Sequence, residues 1–147
     1  MKNILSMKKM YRFLGVALLT GLIAAGCHKS SGSTAITMQS LSASYKITAS
    51  SALVEGISFN TYDSIPACER DDILKLNPDS TYDYEDVGVS CTPNGSFTGF
   101  WSLSGGIIDI DSTFYTIKSF TGATLVLSTT DTLSGIPVVA TETLTKQ

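Results

Sequence analysis

At 147 residues the chain is the length of one domain. Its formal charge of −3 becomes −7 once residues 1–26, which hold Lys2, Lys8, Lys9 and Arg12 and no acid, are set aside. The six basic residues that remain are scattered, so an electrostatic footprint for nucleic acid or anionic lipid is absent.

The amino-terminal 26 residues are built differently from the rest. A basic head precedes an uncharged apolar run over residues 13–26, which closes on the small residues Ala24, Ala25 and Gly26. A basic head, a short apolar middle and a small-residue cleavage site predict a secretory signal peptide. The run is too short for a spanning helix, which needs about 20 apolar residues. Leu22-Ile23-Ala24-Ala25-Gly26-Cys27 resembles the lipobox of bacterial lipoproteins, with Ala24 where Leu is usual. That resemblance implies cleavage before Cys27 and lipid on its thiol. Two or more acyl chains give stable anchoring where one gives only marginal binding. Residues 28–40 are small and polar, as expected of a flexible tether, leaving residues 41–147 as the folded domain. No aspartate follows the cysteine to resemble an inner-membrane retention signal. The expected location is therefore the cell envelope, at an outer membrane facing the periplasm, with the cell surface as the alternative.

From residue 38 onward no helical period is evident. Strand-like runs recur at about 8 to 12 residues, the spacing of a sandwich or barrel. They cover residues 44–50, 72–77, 81–87, 96–103, 106–111, 113–120, 123–129 and 136–145, while 52–66 reads as a loop or irregular crossing. Links as short as Pro78-Asp79, Gly105-Gly106 and Ser134-Gly135 require antiparallel neighbours, because a parallel crossover takes a dozen or more residues. Alternation places Tyr82 and Tyr84 on an inner face opposite Asp83 and Glu85. It groups Phe97, Gly99, Trp101 and Leu103 on one face, and Phe100 on the other.

Cys68 and Cys91 remain after Cys27 is assigned to the anchor. They lie almost symmetrically about the turn signal Asn77-Pro78-Asp79-Ser80. In an oxidising compartment the expectation is a disulfide, with free thiols as the alternative. A metal site or a catalytic thiol would want histidine, and the sole histidine is His28.

Eight strands in a meander remove their edges by closing into a barrel. The expected fold is all-β, an eight-stranded antiparallel up-and-down barrel. Residues 68–84, Cys91, Thr98-Gly99-Phe100-Trp101-Ser102-Leu103, Tyr115-Thr116-Ile117 and Thr124-Leu125-Val126-Leu127 together resemble, in that order, the lipocalin-like domains of bacterial lipoproteins. Leu41-Ser42-Ala43-Ser44-Tyr45 stands where such domains often carry a Leu-x-Gly-x-Trp-like strand. The resemblance implies a small apolar ligand, with Tyr45, Tyr82, Tyr84, Phe97, Trp101 and Tyr115 as the candidate pocket. An interior filled by its own side chains is the competing expectation for so small a barrel.

Without histidine in the domain, no Ser-His-Asp or Cys-His arrangement can be built there, and no catalytic residue is expected. The acids Glu69, Asp71, Asp72, Asp83, Glu85, Asp86, Asp109 and Asp111 lack the spacing of a calcium loop and read as a solvated outer face, so no metal or other cofactor is expected. The expected function is non-catalytic binding by a lipid-anchored module. The alternative is an accessory protein that docks an envelope partner through outward residues such as Phe100 and Ile107.

Overall fold

A computed structural model describes residues 34–147. Cys27, the lipobox and most of the expected tether lie outside the described residues. Among those described, no helix is long and apolar enough to cross a membrane.

A helical turn, α1 (Met38–Leu41), opens the domain. Thr37 caps it by accepting a hydrogen bond from the Ser40 amide, while the Ser40 hydroxyl accepts one from the Thr37 amide. This reciprocal cap satisfies two amides that the start of a helix leaves free. Leu41 is fully buried and Met38 packs on the core, so ordered structure reaches into the segment expected as tether.

Nine strands follow: β1 (Ser44–Val54), β2 (Ile57–Asn60), β3 (Ile73–Leu76), β4 (Thr81–Glu85), β5 (Phe97–Ser104), β6 (Ile107–Ile110), β7 (Thr113–Phe120), β8 (Thr124–Leu133) and β9 (Ile136–Lys146). All neighbours are antiparallel, and pairing of β1 with β9 closes the sheet. Two strands share one edge of β1. Residues 51–54 pair with β2 and residues 44–46 with β3, so β2 and β3 are successive pieces of one interrupted barrel position. The fold is thus a closed eight-stranded antiparallel meander barrel. The excursion between the two pieces contains a 3-10 turn, Tyr62–Ser64, and Cys68.

Residues 52–60, read from sequence as irregular, instead complete β1 and form β2. Their alternation is weak because all four residues of β2 are exposed, and an exposed ribbon needs no apolar face. Tight turns fix the register elsewhere. Gly105-Gly106, Asp111-Ser112 and Ser134-Gly135 each place two successive residues at positive φ, the conformation whose twist matches that of the joined strands.

The core lies toward the end where α1 enters. Trp101, Leu76, Ile108, Leu125 and Phe120 are buried there, and the Trp101 indole N–H donates to the Asn77 carbonyl at 2.8 Å. That bond satisfies the one polar atom of the largest core side chain.

At the other end β1, β2, β8 and β9 run beyond their partners. Residues 129–133 of β8 pair with β9 alone, since β7 pairs only with residues 125–128.

Candidate functional site: an aromatic chamber with a stapled rim

The interior is packed at one end and hollow at the other. A chamber of about 330 Å³ opens between the core and the rim, near the lower end of the size range of small-molecule sites. Tyr45, Tyr82, Tyr84, Phe97 and Tyr115, five of the six aromatic residues expected for a pocket, line it. Trp101 does not. It lies below, in the packed core, where its bond to Asn77 fixes it.

Alternation delivers these rings. Tyr82 and Tyr84 stand two apart on β4, and Tyr84 is directly opposite Phe97 on β5. Their rings stack at 5.0 Å with an interplanar angle of 22°, and Phe97 meets Tyr82 edge-on at 6.0 Å. Phe97 is 52% exposed because it stands at the mouth. Tyr45 occupies the base of β1, fully buried, and its hydroxyl donates to the Leu41 carbonyl at 2.9 Å. The side chain that stands in for the tryptophan of the opening motif thereby ties α1 to the chamber wall.

Three carboxylates share the lining: Glu69, Asp72 and Glu142. Glu142 lies on β9 opposite Leu127, two residues before the buried Leu144. Burial pushes its carboxyl above the usual glutamate range. No hydrogen bond or ion pair to that carboxylate occurs among the described residues. Burial also raises the phenol of Tyr115, and the charge of Glu142 adds to the effect. Burial pushes Tyr45 up to about 12, and Tyr84 is raised by burial and then by the neighbouring carboxylate of Asp72. All these phenols therefore stay protonated across the physiological range.

The rim is held by the disulfide between Cys68 and Cys91, which joins the excursion before β3 to the β4–β5 loop. Three acids, Asp72 and Asp86 buried and Asp71 partly so, organise the same loop. Asp86 accepts from the amides of Cys91 and Gly95, Asp72 from Val87, and Asp71 from Val89. Asp72 and Asp86 are thus buried loop anchors rather than part of a solvated outer face. Among the described residues, no three acidic, histidine or cysteine side chains converge as a metal site.

Glu142 was missed from sequence, although the signal is present. Val138, Ala140, Glu142 and Leu144 share one strand face, so a carboxylate interrupts an otherwise apolar register.

The outward residues Phe100, Ile107 and Phe114 are 72%, 44% and 63% exposed. Across the sheet Phe114 stands opposite Asp109, and Ile107 opposite Thr116.

A profile of the lipocalin-like domain matches residues 41–127. Neither a curated protein nor a solved structure matches the chain. The matched region runs from the end of α1 through the half of β8 that β7 covers, and so holds four of the five aromatic walls on its first five strands and the last on β7. With a closed barrel and a hollow end in place, the chain belongs to the lipocalin-like domain family.

Proposed function

We propose that the protein is a lipid-anchored, non-catalytic binding module of the cell envelope whose barrel holds a small, largely apolar ligand in the chamber. The observation that carries this reading is the chamber itself, walled by five aromatic rings and open at a rim that a disulfide braces. A barrel of this length could have filled its interior with its own side chains and has done so only at the α1 end. The anchor rests on the lipobox resemblance at Cys27 and on the basic and apolar segments before it. Lipid on that cysteine holds the module at an outer membrane, facing the periplasm.

Docking of an envelope partner through Phe100 and Ile107 is the second reading. Its support is their exposure, but Asp109 on β6 shares the outward face with Ile107 and breaks the apolar surface between them. An apolar docking patch is contiguous, and this one is divided.

Two measurements test the proposal. Native mass spectrometry of protein purified from membranes is expected to detect a retained small molecule that Tyr84→Ala releases; ligand-free protein that also takes up no apolar probe contradicts it. Metabolic labelling with a fatty acid is expected to mark the wild type and not Cys27→Ser; equal labelling of both removes the anchor.

A further inference from the structure

The chamber lining is unbalanced in charge. Among the described residues it contains three carboxylates, four phenols and a phenylalanine, and no lysine, arginine or histidine. An interior meant for a fatty acid or another anion would place its carboxylate among Glu69, Asp72 and Glu142 with no described residue to neutralise it. We infer that the ligand is an organic cation, an apolar body carrying a protonated amine or quaternary ammonium group that lies near Glu142 within the ring of aromatic side chains. This rests on the chamber being the ligand site and names the class of molecule it takes.

Two independent features support it. Aromatic faces attract cations through their quadrupole, most strongly where water is excluded, and the stacked Tyr84–Phe97 pair with Tyr82 edge-on supplies such faces at the mouth. Glu142 is a half-buried carboxylate in the lining with no partner of its own among the described residues, so a ligand cation in the chamber meets a negative charge that no side chain there offsets. An inorganic ion is a poorer occupant. A hard divalent cation needs several oxygen ligands converging on one point, whereas the described residues contain no such group. The net negative charge of the mature chain also favours approach of cations over anions.

The test uses three probes of equal chain length, decyltrimethylammonium, decanol and decanoate, titrated calorimetrically below their micelle concentrations. The cation is expected to bind about tenfold more tightly than decanol, and decanoate more weakly than either. Glu142→Gln is expected to remove most of the cation's advantage over decanol, while Glu55→Gln, in the exposed β1–β2 turn, leaves the binding of both unchanged. Decanol binding as tightly as the cation, decanoate binding best, or an equal loss for cation and decanol in Glu142→Gln overturns the inference while leaving the chamber as a ligand site. Failure of all three probes overturns both.

Discussion

The hydroxyl of Tyr82 on β4 donates a hydrogen bond of 2.6 Å to the carboxylate of Asp111, the first residue of the β6–β7 turn. Asp111 also accepts from the Phe100 amide at 3.0 Å, and its own amide donates to the Phe100 carbonyl. These donors, the Phe100 amide foremost, hold its carboxyl below the usual range, and burial with the Asp111 contact pushes Tyr82 up to about 12. The bond passes over Gly99. A Cβ there would collide with the Asp111 carboxylate and stand 2.6 Å from the Tyr82 ring. Glycine is therefore needed for close approach, not for an unusual backbone. Gly99→Ala is expected to destabilise the fold by about 1–3 kcal/mol, the usual cost of forcing atoms into filled space. Urea unfolding measures it, and an unchanged midpoint would mean that the bond is not made as described.

The rim staple acts mainly on the unfolded chain. Cys68 and Cys91 are 23 residues apart, and releasing a loop of that size costs about 3 kcal/mol in the chain-entropy model. Cys68→Ala with Cys91→Ala is expected to lose about that much in denaturant unfolding. The buried acids still tie down the β4–β5 loop, so the barrel should persist with a looser mouth. A double variant as stable as the wild type would contradict this.

Glu142 gives the stability a pH dependence of definite sign. Burial raises its folded pKa above the ordinary value of 4.5, so between those two values the native state binds more protons than the unfolded state. Stability then falls as pH rises through that window, and the loss is complete above the folded pKa. Below 4.5 both states are protonated and nothing is lost. Glu142→Gln never ionises at this position. Its stability relative to the wild type should therefore increase from pH 4 to pH 7.5 in thermal unfolding. A difference independent of pH, or one that shrinks as pH rises, would contradict the assignment.

Tyr84 and Trp101 should separate binding from stability. Both were legible in sequence as inward aromatics, but only Tyr84 reaches the chamber. Tyr84→Ala is expected to weaken an apolar probe by about tenfold, the loss expected of one well-buried contact. Trp101→Leu leaves a void in the packed end and removes the donor to Asn77, costing about 3 kcal/mol while sparing probe affinity once the protein is folded. Probe titration beside unfolding curves distinguishes the two, and matching losses in both variants would contradict the division of the interior.

Sequence alone carried the barrel because tyrosines alternate with acids on β4, and because turn residues such as Gly105-Gly106 punctuate the strands. It did not carry β2, whose residues Ile57, Ser58, Phe59 and Asn60 are all exposed and so need no buried face. Nor could alternation tell that Trp101 and Tyr84, both pointing inward, would lie at different depths. Depth depends on strand stagger around the closed barrel, and that emerges only from pairing. The acids misled for a related reason. Asp72 and Asp86 sit where a strand meets a loop, and there a carboxylate turns inward to accept loop amides.

Titration of isotopically labelled protein with decanol, followed by amide NMR shifts, tests most directly that the hollow end of the barrel is the binding site. Shifts should concentrate on β1, β4 and β9 around Tyr45, Tyr84 and Glu142. Perturbations confined to the outward face at Phe100 and Ile107, or none at saturating probe, would contradict it.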